Sequence, residues 1–233
     1  MSNEKPLSAR LSGAIPYVTK GGIVADVGTD HAYLPIELIR REIAARAIAC
    51  DIGKGPLERA RAHIEESGLS EQIGTRLTDG LHGVEKEQPT DVLVFGMGGE
   101  LIAKILSEAP WLKERQTNLV LQPMTKAEVL RLYLSRNGFE ILDETLLFED
   151  RYYQILHARY TGVIEEYTEE ELLLGKRILQ SNSPHVKGFL ERNADLLSAV
   201  LEGKRIGGAD TGAEERLLEC IRQRLNCLSE EME

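Results

Sequence analysis

Short apolar runs alternate with segments of helical spacing along the first two thirds of the chain. The runs are typical of buried strands, and the segments between them place apolar residues three and four positions apart, as amphipathic helices do. This alternation predicts a parallel sheet covered by helices. Strands are predicted at 23–27, 47–50, 75–77, 92–95 and 119–121, and helices at about 33–41, 56–66, up to 106 and at 126–136.

Two more strands are predicted at 140–146 and 152–160. The segment from Leu147 to Arg151 leaves no room for a crossover helix between them, so these strands should pair antiparallel. Ahead of the first strand, within residues 1–22, Leu7, Leu11 and Ile15 recur at helical spacing. We expect this amphipathic segment to pack across the start of the main domain.

Beyond residue 162 only helical spacings occur, which divides the chain into a predicted main domain, residues 1–162, and a helical domain, residues 163–233. The long apolar stripes predict two or three antiparallel helices. Capping patterns predict helix starts at Thr168 to Glu171, Ser183-Pro184 and Thr211 to Glu214. Three glycines are expected to mark one bend between helices, at positions 203, 207 and 208.

The turn after the first strand carries the strongest chemical signal. The strand breaks at Gly28 and passes into a helix, whose first backbone N–H groups and positive dipole end would face a ligand at the turn. An NAD-binding turn follows a GxGxxG pattern, but the second and third glycine positions here are Asp30 and Tyr33. A carboxylate repels a pyrophosphate and attracts an ammonium or sulfonium group. The turn therefore favours a cationic adenosine cofactor, S-adenosylmethionine (SAM).

Composition restricts the class of protein. The 233 residues suffice for one sizeable α/β domain and a smaller unit. The apolar runs are too short for a membrane span or a signal peptide, so we expect a cytoplasmic protein without a membrane partner. Cys50, Cys220 and Cys227 form no CxxC pattern, and no metal site is predicted. Nothing in the sequence sets the number of subunits.

The formal net charge of −10 opposes a nucleic-acid partner unless basic residues gather on one face. Such a gathering is present around the first two helices, where solvated helix faces are the ordinary explanation for charged residues. Its members are Arg40, Arg41, Arg46, Lys54, Arg59 and Arg61.

Two acidic residues follow predicted strands, where the ligand-facing loops of a parallel sheet gather. Asp51 ends the second strand and has the position of a carboxylate that binds ribose hydroxyls, although such a residue also forms turns and caps helices. Asp79, before Gly80, suits either an adenine amino group or a simple Asp-Gly turn.

Three glycines in Gly96-Met97-Gly98-Gly99 end the fourth strand, which indicates positive φ or a close backbone approach to cofactor or acceptor. Adenine N6 methyltransferases carry an Asn/Asp-Pro-Pro-aromatic tetrad at this place. Its absence here disfavours an exocyclic amine as acceptor.

His31 and Tyr33 flank the first turn and suit contact with the transferred methyl group or a stacked base, although a histidine at a helix start is commonly a structural hydrogen-bond donor. The other histidines show no spacing that suggests a metal site or a nucleophile triad. They are His63, His82, His157 and His185.

Taken together, these motifs resemble those of the bacterial tRNA (adenine-22-N1)-methyltransferase family over the whole chain. The resemblance rests on four stretches, Leu7-Ser8-Ala9-Arg10-Leu11, residues 25–35 with Asp26-Val27-Gly28-Thr29-Asp30-His31, Phe95-Gly96-Met97-Gly98-Gly99 and Leu121-Gln122-Pro123-Met124. It implies an α/β fold with the Rossmann-like sheet of class I methyltransferases, mostly parallel with a terminal antiparallel hairpin, and a coiled-coil-like helical C-terminal domain.

The resemblance also implies roles for individual residues. Cofactor-binding residues would be Arg10, Leu11, Asp26, Gly28, Thr29, Asp30, His31, Asp51, Ile52, Asp79, Gly80, Gly96, Met97, Gly98 and Gly99. Residues near the chemical step would be Asp30, His31 and Tyr33. The resemblance also places Gln122, Pro123 and Met124 near the acceptor base of the tRNA substrate. Separately from the resemblance, the charge of Arg40 and Arg41 on the basic face leads us to expect that they bind tRNA.

The chemistry implied is methyl transfer to the N1 ring nitrogen, whose lone pair needs no dedicated base. The protein would mainly align nucleophile, methyl carbon and sulfur, with Asp30 stabilising the cationic product base. Two alternatives stay open: a SAM-dependent methyltransferase of small molecules, and a SAM-binding interaction protein without turnover.

Overall fold

The computed structural model describes residues 7–230 and contains one seven-stranded sheet among them. Its strands are β1 Gly22–Val27, β2 Ala44–Asp51, β3 Ile73–Leu77, β4 Asp91–Gly98, β5 Asn118–Thr125, β6 Phe139–Phe148 and β7 Tyr152–Tyr160. They lie in the order β3-β2-β1-β4-β5-β7-β6. The first five strands pair in parallel, and β7 pairs antiparallel with both β5 and β6. The mostly parallel Rossmann-like sheet and its antiparallel hairpin are confirmed.

Helices follow most of the parallel strands, and others precede or follow the sheet. The helices of the described residues are α1 Ala9–Ser12, α2 Tyr33–Arg40, α3 Lys54–Glu66, α4 Gly99–Ser107, α5 Trp111–Glu114, α6 Ala127–Arg136, α7 Glu169–Leu174, α8 Lys176–Leu179, α9 Val186–Ile206 and α10 Gly212–Glu230. Short 3-10 helices cover Ile15–Tyr17 and Val84–Glu87. The predicted amphipathic segment is thus a short helix and a 3-10 turn, and its residues 1–6 lie outside the described residues.

The centre of the sheet is buried on both faces, which explains why its strands are continuous apolar runs. Val92, Leu93 and Val94 of β4 and Leu119 and Val120 of β5 are all fully buried. Because β1 and β4 pair in parallel, their carboxyl ends lie side by side at one edge of the sheet.

Strands β4 and β5 continue past the residues that were expected to end them. The predicted Gly96–Gly99 loop is wrong, because β4 runs to Gly98 and Gly99 already belongs to α4. Likewise β5 passes through Pro123 to Thr125. Register shifts on either side of Met97 absorb the irregular backbone, so the two strands stay paired despite glycine and proline.

A second compact unit begins at Tyr167, and the first ends at Glu166. The predicted capping box is confirmed at Thr168, whose hydroxyl accepts from Glu171 N while the Glu171 carboxylate accepts from Thr168 N. The predicted helix start at Ser183-Pro184 is wrong, since α9 starts at Val186 with His185 as its cap.

The long helices α9 and α10 pack against each other across a short turn. Lys204 and Arg205 at the end of α9 bind Glu214 and Glu215 at the start of α10. Helix α9 passes through position 203, so the chain turns only at the later glycines, 207 and 208. The coiled-coil character and the division after residue 162 stay predictions.

Candidate active site

A cavity of about 340 Å³ opens at the carboxyl ends of β1 and β4. Open parallel sheets bind ligands at this edge, and the volume is in the range of small-molecule sites. The lining residues are Arg10, Leu11, Asp26, Gly28, Thr29, Asp30, Tyr33, Leu34, Phe95 and Gly96. Sequence patterns alone single out all of them except Leu34 and Phe95.

The turn between β1 and α2 has an unusual backbone. Gly28 has φ +79°, and His31 and Ala32 follow with φ +62° and +52°. Two consecutive left-handed residues other than glycine are strained, a feature that concentrates at functional sites. The N–H groups of Gly28 and Thr29 donate to the Cys50 carbonyl at 2.8 and 2.9 Å, so these two are not aimed at a ligand as expected.

Asp26 is the buried carboxylate of the cavity, at 7% exposure. Burial, helped by the negative charge of Asp51, raises the pKa of Asp26 to about 6, while the Thr29 hydroxyl and, to a lesser degree, Arg10 act in the opposite direction. Within residues 7–228 the Asp26 carboxylate forms no ion pair. A carboxylate that is buried, lines a cavity and lacks a cationic partner is suited to a cationic ligand.

Asp30, which is predicted to attract a cationic ligand, already has a cationic partner in the protein. Arg59 of α3 donates through Nε and Nη2 to one Asp30 oxygen at 3.2 and 3.0 Å. The Asp30 side chain is 62% exposed, so water and Arg59 both compensate its charge. Asp26 is the more buried and the less compensated of the two carboxylates, and the role of Asp30 stays a prediction.

Gln122 connects the cavity to β5. Its Oε1 accepts from Arg10 Nη1 at 3.0 Å and from Gly96 N at 3.2 Å, and its Nε2 donates to the Pro123 carbonyl at 2.9 Å. Gln122 is fully buried, and the Arg10 guanidinium also lies 5.8 Å from the centre of the Tyr153 ring. Gln122 thus orients Arg10 and has no free donor or acceptor for a base.

The glycines at the end of β4 and the start of α4 serve different structural purposes. Gly96 has φ +79° and lines the cavity. A Cβ on Gly99 would lie 2.1 Å from the Lys126 carbonyl oxygen, so glycine there permits close packing of two chain segments. The Met97 side chain covers Gly28, where a Cβ would lie 2.2 Å from the methionine methyl group. Gly98 caps α4.

The residues predicted to bind ribose and adenine lie at the same edge, beside the cavity lining. Asp51 Oδ1 accepts from Gly53 N at 2.6 Å, which leaves its other oxygen for a ligand. Ile52 is 69% exposed, and Asp79 is exposed at the end of β3. Gly80 packs against Ile105 of α4.

The predicted substrate residues fall into two places. Pro123 is buried and Met124 partly exposed at the end of β5, beside the site. Arg40 and Arg41 lie at the other end of α2, next to the start of β2, so the structure does not bring them to the cavity. Arg41 Nε donates to Glu37 at 2.7 Å.

Two residues of α3 were missed by sequence reasoning. Arg59 binds Asp30, and His63 Nδ1 lies 2.7 Å from the His31 carbonyl. The available signal was their spacing of four on a predicted helix, which places both on one face. Within residues 7–230, neither a cluster of potential metal ligands nor a helix long and apolar enough to cross a membrane is present.

The sequence of this chain is similar to those of known methyltransferases. A family model described as a methyltransferase domain matches residues 7–156. The tRNA (adenine(22)-N(1))-methyltransferase of Bacillus subtilis strain 168 is 38% identical over 157 residues, 67% of this chain and 66% of that protein.

Solved structures extend the similarity over nearly the full length. Sp1610 of Streptococcus pneumoniae, in complex with S-adenosyl-L-methionine, is 32% identical with a TM-score of 0.84, over 94% of this chain and 100% of that chain. TrmK of M. capricolum, in complex with S-adenosyl-homocysteine (SAH), is 27% identical with a TM-score of 0.78, over 94% of this chain and 98% of that chain.

Fold, cavity and family match define a class I SAM-dependent methyltransferase. Within that class, the chain belongs to the bacterial tRNA (adenine-22-N1)-methyltransferase family.

Proposed function

We propose that this protein transfers the methyl group of SAM to the N1 nitrogen of adenine 22 in tRNA. The observation that carries the proposal is the buried, unpaired Asp26 carboxylate in the cavity at the carboxyl edge of a methyltransferase sheet. A cationic cofactor satisfies that carboxylate, whereas a pyrophosphate would be repelled by it.

The charged groups of the cavity fit SAM at both ends of its methionine portion. SAM carries a carboxylate, an ammonium group and a sulfonium group. Arg10 is oriented by Gln122 and suits the carboxylate, while Asp26 suits the cationic groups. The open oxygen of Asp51 suits the ribose hydroxyls, and the exposed Ile52 offers an apolar surface to the adenine.

The chain contributes alignment more than acid or base catalysis. SAM supplies an activated methyl group, and the N1 lone pair of adenine is unprotonated at neutral pH. The site therefore has to hold the base in line with the methyl group, an effect of proximity and orientation. The lone pair is hidden in a stacked or paired base, so the target nucleotide has to leave its stack. Tyr33, 49% exposed at the cavity, presents a ring for it.

Methylation leaves a positive charge on the base, and the carboxylates at the cavity stabilise that charge as it forms. Asp26 is the stronger candidate, because Arg59 already balances Asp30. His31 extends beside Asp30, with its Nε2 3.6 Å from the Asp30 carboxylate, and is proposed to contact the substrate.

The tRNA is proposed to contact Met124 near the site and a basic surface that includes Arg40 and Arg41. Cations of this surface are already paired, Arg41 with Glu37 and Arg46 of β2 with Glu87, so tRNA phosphates would have to compete with these carboxylates. We expect the protein to act in the cytoplasm, where its proposed substrate is found, with residues 1–162 as the methyltransferase domain.

The test uses the purified full chain, SAM with a labelled methyl group and two tRNA transcripts that differ only at nucleotide 22. We expect one methyl group on the transcript with A22, mapped to N1 by mass spectrometry, and none on a matched transcript with G22. Equal labelling of both transcripts contradicts the assigned position. SAH binding without transfer to any RNA indicates a binding protein, and transfer to a small metabolite alone indicates the small-molecule alternative.

A further inference from the structure

Two side chains of helix α3, Arg59 and His63, hold the strained turn of the site, and we call this pair the clamp. Arg59 and His63 stand four residues apart, which places them on one face of the helix. Arg59 holds the Asp30 carboxylate through two nitrogens, and His63 Nδ1 lies 2.7 Å from the His31 carbonyl oxygen. A carbonyl only accepts, so His63 donates from Nδ1.

The ring of His63 makes a second contact with the same turn. It meets the Tyr33 ring edge-on, with 5.0 Å between centroids, and Tyr33 in turn stacks on His31 at 5.3 Å. Three rings therefore lie in series from α3 to the mouth of the cavity. Such edge-on and stacked pairs restrict ring orientation as well as contributing contact energy.

The backbone held by these contacts needs an external restraint. His31 and Ala32 both have positive φ, a conformation that costs free energy for residues other than glycine. Such strain persists only where the surroundings fix it. The hydrogen bond to the His31 carbonyl acts on the peptide group between these two strained residues.

We propose that Arg59 and His63 are positioning residues that hold the turn from Asp30 to Tyr33 in the shape that binds the cofactor and receives the acceptor base. The proposal rests on the proposed function for its catalytic part. Its binding part concerns SAM and SAH alone, and stands independently of the RNA substrate.

Because the ion pair of the clamp is exposed, a role in positioning the turn can be distinguished from a role in the stability of the fold. The side chains of Arg59 and Asp30 are 50% and 62% exposed, and exposed ion pairs contribute little to the stability of a fold. Loss of the clamp should therefore alter ligand affinity and turnover while the melting temperature stays nearly constant.

Four variants test the proposal: His63→Ala, His63→Asn, Arg59→Met and, as a matched control on α6, Arg136→Met. The asparagine amide nitrogen occupies the place of Nδ1 and keeps the hydrogen bond, whereas alanine loses it. SAH affinity is measured by calorimetry, kcat and KM by methyl transfer to tRNA, and stability by thermal unfolding.

We expect His63→Ala to weaken SAH binding about five- to tenfold, the size of one lost hydrogen bond, and His63→Asn to stay within about twofold of wild type. Arg59→Met should lower kcat more than Arg136→Met does. Wild-type affinity and turnover in His63→Ala overturn the proposal. So does an equal loss of affinity in both His63 variants accompanied by equal loss of melting temperature, which indicates packing only.

Failure of the proposed function has a different signature. If the wild-type chain methylates no tRNA but His63→Ala still binds SAH more weakly than His63→Asn, the positioning role of the clamp is supported and the proposed tRNA substrate is wrong.

Discussion

Two buried aspartates on neighbouring strands show how the two edges of the sheet differ. Asp91 begins β4 at the amino edge and is fully buried, and Asp26 lies near the end of β1 at the carboxyl edge with 7% exposure. Asp91 accepts hydrogen bonds from Thr19, Thr90 and Asn118 at 2.6 to 3.0 Å. Asp26 faces a cavity instead. One carboxylate is satisfied by the protein, and the other is left for a ligand.

Cavity size would have pointed to the wrong edge. A larger cavity, of about 700 Å³, opens at the amino edge among Tyr17, Asn118 and His157. Asn118 and His157 in this cavity already have protein partners, since Asn118 Nδ2 donates to Asp91 and Asn118 Oδ1 lies 2.6 Å from His157 Nε2. Burial lowers the pKa of His157, which keeps the ring neutral as a donor in this network. The site is distinguished by the buried carboxylate of Asp26, which has no cationic partner within ion-pair distance among the described residues, and not by the volume of its cavity.

The largest effect is expected at the amino edge. Asp91→Ala removes, from a fully buried position, the acceptor shared by Thr19, Thr90 and Asn118 and should lower the free energy of unfolding by about 3 kcal/mol. Urea denaturation measures this change, and calorimetry on the folded variant should return wild-type SAH affinity. A stable variant that no longer binds SAH would reverse the roles assigned to the two edges.

At the carboxyl edge, the expected effect is on binding and depends on pH. The pKa of Asp26 is about 6, so lowering the pH from 7 to 5 protonates the carboxylate that attracts the cationic ligand. SAM affinity should fall about tenfold per pH unit below 6. Asp26→Asn should bind SAM about 10- to 100-fold more weakly at pH 7, with a flat profile.

The same titration by calorimetry identifies which cation Asp26 meets. SAH keeps the ammonium group of SAM but lacks the sulfonium charge, so equal slopes for both ligands assign Asp26 to the ammonium group. A wild-type slope that persists in Asp26→Asn contradicts the role of Asp26.

The smallest effect concerns Arg40 and Arg41, which lie away from the cavity. If tRNA reaches this end of α2, reversing both to glutamate should weaken tRNA binding about threefold or more and lower the salt slope by one to about two. Filter binding at several salt concentrations measures both quantities. Unchanged affinity and slope exclude this surface, and SAH affinity should be unaffected in either case.

Local pattern was sufficient for most of the fold. β-Branched runs located β1, and the missing crossover near Leu147 located the hairpin, because both signals lie within a few residues. The sequence pattern predicted the ends of β4 and β5 wrongly at Gly96 and Pro123, residue types that normally end strands. The pairing between β4 and β5 continues past both positions. Tertiary pairing overrides local propensity at such positions.

The candidate site was predictable where it is carried by one turn. Asp26 and Gly28 stand two positions apart in a recognisable motif, and both line the cavity. The pairing of Arg59 with Asp30 joins residues 29 positions apart, and His63 reaches His31 across 32 positions. Such contacts depend on where α3 packs beside β1, and no local pattern contains that information.

The position of β7 between β5 and β6 has a consequence for synthesis of the protein. While the ribosome releases the chain in order, β6 emerges first but has no strand to join, because its only partner in the described sheet is β7. The outer edge of β5 therefore remains open until Tyr160 has left the exit tunnel. Open strand edges invite wrong pairings, so a nascent chain that is stalled with β5 outside the exit tunnel and β7 still inside it would be prone to aggregation.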